Sequence, residues 1–320
     1  MKNNIDAILL ISFGGPTKKD DIRPFLENVT RGRAIPKARI DEVAHHYELI
    51  GGASPINAIT DRQAKGLQKQ LEKSGHPLPV YVGNRNWYPF ISETLKKMTA
   101  DGIKRAVGFI TAAYRCEASW ERYINAVEDA RKEMGPSAPE VIYNNPWFDH
   151  PLFIEAAVAR IQETLRMLPG NPNRRELMPW IFTAHSIPRA MAEASDYAGE
   201  LRAACELVAE KLGKKEWVLA YQSRSGRPDD PWLEPDVCDV IKKLANHDGV
   251  QVKDVLLIPI GFLADHVEVL FDLDVEAKEV CKEFGIKFHR AQTVGDHPAF
   301  LAMMADVVLK AAQQSSRVPA

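Results

Sequence analysis

The feature of this chain that most constrains its fold is a regular alternation of two kinds of segment. Short apolar runs rich in β-branched and aromatic residues alternate with longer stretches whose apolar residues recur with a helical period. The strand-like runs are residues 7–13, 79–82, 106–111, 140–143, 180–184, 217–221 and 255–260. The helical stretches include residues 91–100, 119–134, 153–168, 197–212 and 267–284. This alternation predicts βαβ units, and runs that are apolar throughout predict parallel strands buried on both faces.

Two similar segments indicate that these strands form two sheets. The segments "LLISFGGP" and "WIFTAHSIP" share a short plan, in which Phe13 and His185 follow an apolar strand at equivalent positions. We predict an α/β fold of two Rossmann-like halves, each a parallel four-stranded sheet flanked by helices, with a cleft between them. The first half spans residues 1–145 and the second 146–296, and a last helix at about 297–311 packs back on the first half.

The composition limits the classes of binding partner that the chain can have. Lys and Arg number 41 and Asp and Glu 43, so a net charge of −2 gives no basic footprint for nucleic acid. The first apolar run directly follows Asp6 and is interpreted as a strand, not a signal peptide, and no run approaches the ~18 apolar residues of a membrane span. The cysteines form no Cys-x-x-Cys pair, which favours reduced thiols and a cytoplasmic location. They are Cys116, Cys205, Cys238 and Cys281.

Polar and aromatic groups follow several predicted strands, at the edge of the sheet where parallel α/β proteins bind ligands. His185 lies at such a strand end, where a neutral imidazole could accept a proton near pH 7. Three carboxylates at four-residue spacing, those of Glu268, Asp272 and Glu276, share one face of a predicted helix. They form either a solvated acidic face or a row of oxygen ligands for a divalent cation such as Fe²⁺.

Other motifs are less informative. No Gly-x-Gly-x-x-Gly or Walker A sequence follows a strand, so the chain lacks the usual phosphate-binding motifs of nucleotide-binding proteins. Ser186 stands beside His185, but no Gly-x-Ser-x-Gly elbow supports a serine nucleophile. Arg31 and Arg33 on a loop, near Tyr47, either bind carboxylates bidentately or are solvated surface arginines.

Several long motifs, in order along the chain, resemble the ferrochelatases, which insert Fe²⁺ into a porphyrin in haem biosynthesis. They are "SFGGP", "ENVTRGR", "HYELIGGASPINAIT", "FTAHSIP", "YQSRSGRPDDPWLEPDV" and "PIGFLADHVEVLFDLDVEAK". The resemblance extends from residue 7 to about residue 309. Within the family, "NRNWYP" and "LADHVEVLFD" are most similar to the bacterial coproporphyrin III ferrochelatases.

The resemblance implies roles for individual residues. It implies that His185 and Glu268 are the catalytic pair, which handles the metal and the pyrrole protons. It implies that Asp272 and Glu276 assist metal supply or bind a second cation such as Mg²⁺. The residues that it implies for substrate binding are Phe13, Arg31, Tyr47, Ser54 and Tyr123.

Two departures from the family pattern modify this expectation. Some relatives carry an axial tyrosine ligand at the position of Phe13, and phenylalanine cannot ligate iron. Some relatives bind an iron–sulfur cluster through clustered C-terminal cysteines, and the tail "KAAQQSSRVPA" has none. We therefore expect no iron–sulfur cluster and no required cofactor, with Fe²⁺ as a substrate.

The resemblance predicts a lyase that inserts Fe²⁺ into coproporphyrin III to form coproheme. The expected partners are these two substrates and, transiently, neighbouring enzymes of the haem pathway. The alternatives are a protoporphyrin IX ferrochelatase, a tetrapyrrole chelatase for cobalt or nickel, and a non-catalytic porphyrin or haem carrier. A carrier would not need both His185 and the acidic row, so these residues favour an enzyme.

Overall fold

The computed structural model describes residues 5–168, 177–225, 230–246 and 252–315. The strands are β1 Ala7–Ser12, β2 Val80–Asn84, β3 Arg105–Ile110, β4 Glu140–Tyr143, β5 Trp180–His185, β6 Val218–Gln222, β7 Asp254–Ile258 and β8 Lys287–Arg290. The helices are α1 Ile22–Thr30, α2 Lys37–Leu49, α3 Ile56–Lys73, α4 Ile91–Ala100, α5 Arg122–Met134, α6 Pro151–Met167, α7 Arg189–Glu193, α8 Tyr197–Lys211, α9 Val237–Ala245, α10 Val267–Leu270, α11 Lys278–Glu283 and α12 Pro298–Ser315. Two π-helical segments, Glu117–Glu121 and Asp272–Ala277, adjoin α5 and α11.

The chain divides into two units. One unit comprises Met1–Ala112, Glu117–Trp147 and Gly295–Ala320, and the other comprises Ala113–Cys116 and Phe148–Val294. The chain therefore leaves the first unit after β4 and returns to it for the last helix, α12.

The first unit contains a parallel sheet with the strand order β2-β1-β3-β4. Strand β1 lies between β2 and β3, where Ile11 is paired with Gly83 on one side and Ile110 on the other. Every residue of β1 is buried, which explains why its sequence "AILLIS" is apolar almost throughout. Helix α12 packs against α3, and a Cβ atom at Gly66 would lie only 2.4 Å from Leu301 Cδ1. Glycine at position 66 therefore allows the two helices to approach closely.

The second unit contains a parallel sheet with the order β6-β5-β7-β8. Strand β5 holds the same inner position as β1 does in the first sheet, because each lies between the second and third strands of its own unit. Helices such as α9 and α11 cover this sheet, and their apolar faces form one core with Ile181 and Leu257. Two parallel four-stranded sheets flanked by helices confirm the predicted fold class.

Two predictions about individual elements were wrong. Strand β8 was not predicted, because its four residues, "KFHR", are mostly polar and only half-buried. The continuous helix predicted over residues 267–284 is interrupted by the π-helical segment, in which the Glu276 N–H donates to the carbonyl of Phe271, five residues back. No helix within the described ranges has the length and apolar character that a membrane crossing requires.

Candidate active site

The candidate site of the second unit lies where the strands of its sheet end. His185 is the last residue of β5 and Gln222 the last residue of β6, and the two are paired in the parallel register. Arg290 is the last residue of β8. All three side chains therefore stand at the carboxyl edge of the sheet, where α/β proteins bind their ligands.

His185 faces Glu268 across this edge. The Nε2 atom of His185 lies 3.5 Å from Glu268 Oε1. The Nδ1–H group of His185 donates to the carbonyl oxygen of Ser186, which fixes the ring and leaves Nε2 for the carboxylate. The hydroxyl of Tyr197 on α8 donates to the His185 carbonyl oxygen at 2.9 Å, so the backbone of the histidine is held as well.

Glu268 lies in the first turn of the short helix α10. The Nδ1 atom of His266 accepts a hydrogen bond from the Glu268 N–H at 3.2 Å and so caps the helix. The side-chain amide of Gln222, which is buried, donates to the Glu268 carbonyl oxygen. Strand β6, which pairs with the strand that carries His185, therefore also holds Glu268 in position.

The charges of this pair support each other. Burial opposes the charged form of His185, but the nearby Glu268 carboxylate outweighs it and raises the pKa of the imidazole above its ordinary value. In the same way, His185 lowers the pKa of Glu268 against the effect of burial. The proximity of the two groups therefore favours an imidazolium beside a carboxylate. The use of a neutral imidazole as the proton acceptor stays a prediction.

Asp272 is held next to this pair by Ser223. The Ser223 hydroxyl donates to the Asp272 carboxylate. Ser223 has a φ of 63°, a left-handed conformation that is uncommon outside glycine and clusters at functional sites. Burial raises the pKa of Asp272 to about 7, although the bond from Ser223 opposes the shift. This carboxyl group can therefore take up and release protons near neutral pH.

The π-helical segment affects how the three carboxylates line up. A four-residue step slightly overshoots one turn in an α-helix, but it falls short of one turn where hydrogen bonds reach five residues back. From Glu268 to Asp272 the side-chain direction therefore rotates slightly more than one turn about the helix axis, and from Asp272 to Glu276 slightly less than one turn. The two deviations have opposite signs, so the three carboxylates stay on one face. Asp272 is partly buried and Glu276 exposed, so the row leads from the pair to the surface. In the described part of the chain, no three His, Cys, Asp or Glu side chains gather into a metal-binding cluster.

In the first unit, Phe13 and Tyr47 belong to one aromatic cluster. Both rings contact Phe25 edge-on, with centroid distances of 6.1 Å and 6.0 Å, and Trp87 contacts the same ring at 6.1 Å. Phe13 is partly buried and directly follows β1. The cluster therefore provides an apolar aromatic wall at the carboxyl edge of the first sheet.

Ser54 lies against the turn "SFGGP" that follows β1. Its N–H donates to the carbonyl of Pro16 at 2.8 Å, and its hydroxyl accepts from the Ile56 N–H at 3.4 Å. A Cβ atom at Gly15 would lie 2.8 Å from Ser54 Cβ. Glycine at position 15 is therefore required for Ser54 to sit this close to the strand end.

Tyr123 and Arg31 lie in different surroundings. Tyr123 is buried in the first turn of α5. Arg31 lies on an exposed turn after α1, where it donates to Asn28 Oδ1 at 2.5 Å. Its neighbour Arg33 donates to the carbonyl of Val29 at 2.6 Å, so both guanidinium groups fold back on α1.

Sequence reasoning missed residues that support the site. Gln222 and Ser223 directly follow the predicted strand 217–221, so their position at a strand end was the signal available.

Arg85 in the first unit was missed as well. It follows β2, and its N–H donates to the carbonyl oxygen of Ser12 at 2.9 Å. Burial lowers the pKa of the Arg85 guanidinium, and the hydroxyl of Tyr123 acts in the opposite sense. A half-buried guanidinium beside Tyr123 is suited to binding a carboxylate. No pattern in the sequence identified it.

Comparisons with known proteins show which proteins this chain resembles. The family model "Ferrochelatase" matches residues 5–312. A ferrochelatase of Rhodopirellula baltica is 44% identical over 98% of this chain and 88% of its own length. Coproporphyrin III ferrochelatases of Nocardia farcinica and Mycolicibacterium smegmatis are each 42% identical over 95% of this chain, and over 87% and 89% of their own lengths. Among solved structures, SirB from Bacillus subtilis with Fe³⁺ has a TM-score of 0.58 and 12% identity over 97% of both chains, which shows a shared fold.

Proposed function

The chain belongs to the ferrochelatase family of metal-inserting lyases, and from this premise we propose that it inserts Fe²⁺ into coproporphyrin III to form coproheme in haem biosynthesis. The observation that carries the chemistry is the approach of His185 Nε2 to within 3.5 Å of Glu268 Oε1. The identity to coproporphyrin III ferrochelatases supports the choice of porphyrin. The cytoplasmic location expected from the sequence is part of the same proposal.

Metal insertion requires two protons to leave the porphyrin as one Fe²⁺ enters. When Fe²⁺ approaches the Glu268 carboxylate, its charge repels the imidazolium of His185 and lowers the pKa of that ring. The proton then leaves towards Asp272, whose pKa of about 7 suits proton transfer at neutral pH. The neutral Nε2 atom of His185 is then free to accept one pyrrole proton, and it passes that proton on by the same route before it accepts the second. Metal and protons thus pass the same carboxylates in opposite directions.

In this proposal the porphyrin is bound by the residues that the resemblance predicted for it. Ser54 and Tyr123 donate hydroxyl hydrogen bonds to propionates, and Arg31 contributes a positive charge. Phe13 and Tyr47 provide part of an aromatic wall that holds the ring, and distortion of the ring by such a wall costs roughly 1–5 kcal/mol of binding energy. Coproporphyrin III carries four propionates and protoporphyrin IX two, so a rim rich in donors favours the former.

The last part of the proposal concerns the acidic row and the metal ions that take part. Asp272 and Glu276 either deliver Fe²⁺ to Glu268 or bind an accessory cation such as Mg²⁺, since oxygen ligands suit both ions. Fe²⁺ is a substrate, and we propose that no resident cofactor or iron–sulfur cluster takes part. Phe13 provides no ligand atom, so any axial ligand to the product iron comes from another residue.

An anaerobic metal-insertion assay tests this function. The protein is incubated with coproporphyrin III and Fe²⁺, Co²⁺ or Ni²⁺ in separate reactions, and the visible absorbance is followed. We expect multiple turnovers with Fe²⁺ and formation of coproheme. Turnover with cobalt or nickel alone would indicate another tetrapyrrole chelatase. A spectral shift that stops at one porphyrin per protein would indicate a carrier.

A further inference from the structure

Arg290 binds two carboxylates in the segment that carries the catalytic glutamate. Its Nε and Nη2 atoms donate to the two oxygens of Asp274 at 2.7 and 2.8 Å, a bidentate geometry. Its Nη1 and Nη2 atoms donate to Asp265 at 3.4 and 3.3 Å, and Nη1 also donates to the carbonyl of Ala291 at 3.2 Å. The Arg290 side chain is only 12% exposed, so these bonds are largely shielded from water.

The two aspartates lie on either side of Glu268 in the sequence. Asp265 precedes His266, whose ring caps helix α10, and Asp274 lies within the π-helical segment that carries Asp272. Arg290 thus holds the segment at both ends. The stretch between these two anchors contains the carboxylate that faces His185.

The ion pairs also divide the carboxylates of this segment into two groups. Asp265 and Asp274 both pair with Arg290, whose single positive charge offsets one of their two negative charges. Glu268 is paired with His185 instead. A planar guanidinium can bind two carboxylates at once, whereas a lysine ammonium is a single point charge on a flexible chain. The geometry therefore depends on arginine and not only on a positive charge.

We propose that Arg290 is a positioning residue for metal insertion, which holds the segment between Asp265 and Asp274 so that Glu268 stays opposite His185. The inference rests on the proposed function for its kinetic consequence. All three guanidinium nitrogens of Arg290 donate to groups of the protein, so Arg290 acts through the position of the Glu268 carboxylate. A displacement of about 1 Å in such a group can cost on the order of 10²-fold in rate.

The test compares Arg290→Lys, Arg290→Met and Asp274→Asn with wild type. Arg160→Lys and Arg160→Met are the matched controls, because the Arg160 side chain is only 17% exposed in the second unit and is paired with Glu163 at 3.0 Å. We expect the Arg290 variants to lose at least about tenfold in kcat with an almost unchanged KM for coproporphyrin III. Arg290→Lys should recover thermal stability relative to Arg290→Met without recovering kcat. The Arg160 variants should keep wild-type kcat.

Asp274→Asn covers the case in which Arg290→Met fails to fold, because it removes the bidentate partner and keeps Arg290 with Asp265. Hydrogen exchange of the amides in residues 266–276 provides a measurement that needs no activity, and we expect faster exchange there in Arg290→Lys and Asp274→Asn. If wild type inserts no iron, the proposed function fails, while the exchange data still report the anchoring. Wild-type kcat in folded Arg290→Lys and Asp274→Asn, or a kcat that recovers in step with thermal stability, would overturn the inference.

Discussion

The imidazole of His185 and the carboxylate of Glu268 form an ion pair at the carboxyl edge of the second sheet, with Nε2 and Oε1 3.5 Å apart. Each group stabilises the charge of the other, so the pair holds one proton at neutral pH. A metal ion that approaches Glu268 competes with this proton. The pair is therefore suited to exchange a proton for a metal ion.

Replacement of His185 by alanine should abolish most of the turnover. A general acid–base group contributes typically ~10²–10⁴-fold in rate, and water in its place is not held at a fixed position. We expect a loss in kcat of that size, with a near-normal KM for the porphyrin, in an anaerobic steady-state assay. His76→Ala is the control, because His76 is exposed in the first unit. Near-normal turnover in a folded His185→Ala protein would refute the assigned role.

Replacement of Asp272 by asparagine should stabilise the protein more at pH 8 than at pH 4. The pKa of Asp272 is about 7 in the folded protein and about 3.9 when unfolded, so between these values the folded state holds the extra proton. Stability contributed by this group therefore falls as pH rises from 4 to 7. Asparagine does not ionise and can still accept the hydrogen bond from Ser223. The difference in Tm between Asp272→Asn and wild type should grow with pH.

The control for this measurement is Asp239→Asn, because Asp239 is 71% exposed on α9 and lies 3.5 Å from Lys242. Its difference in Tm should change little over the same range, since exposed ion pairs contribute little. A pH-independent difference for Asp272→Asn would show that this carboxyl group titrates normally in the folded protein.

Loss of the outermost carboxylate should weaken iron supply. In Glu276→Ala we expect the apparent KM for Fe²⁺ to rise by more than kcat falls, because Glu276 is exposed and takes no part in the proton transfer from His185 to Asp272. Asp239→Ala provides a matched acidic control in the same unit. An unchanged KM for iron would leave Glu276 as part of a solvated acidic face.

The hydroxyl of Tyr123 should contribute to porphyrin binding. Tyr123→Phe keeps the buried ring and removes one donor to a propionate, so we expect a higher KM for coproporphyrin III with little change in kcat. Tyr81→Phe is the control, since the Tyr81 hydroxyl donates instead to Asp101 at 2.7 Å. Equal KM values for the two variants would remove Tyr123 from the binding site.

The sequence was sufficient to predict the strands and helices that have a clear local pattern of apolar residues. Buried strands such as β1 and β5 are apolar except at Ser12, Thr183 and His185, and their positions were predicted within one or two residues. Strand β8 could not be predicted in this way, because a short half-buried strand lacks an apolar signature. Arg290 is the last residue of this strand, so its place at the edge of the sheet was not predicted either.

The candidate site required tertiary information that local patterns do not contain. His185 and Glu268 were predicted as a pair from the resemblance, but their pKa values depend on the distance between a strand end and helix α10. The π-helical segment depends on which carbonyl the Glu276 N–H selects, which helical periodicity does not reveal. The charge state of the site therefore follows from tertiary contacts that local sequence patterns do not contain.

The most direct test of the central claim is an internal competition between two porphyrins. Equimolar coproporphyrin III and protoporphyrin IX are incubated anaerobically with the protein and limiting Fe²⁺, and the two metallated products are separated by chromatography. The product ratio gives the ratio of kcat/KM values independently of the active fraction of protein. A charge-assisted hydrogen bond contributes ~1.5–3 kcal/mol, so one additional bond to a propionate predicts an excess of coproheme of at least about tenfold. Equal amounts of the two products, or an excess of haem, would contradict the proposed substrate.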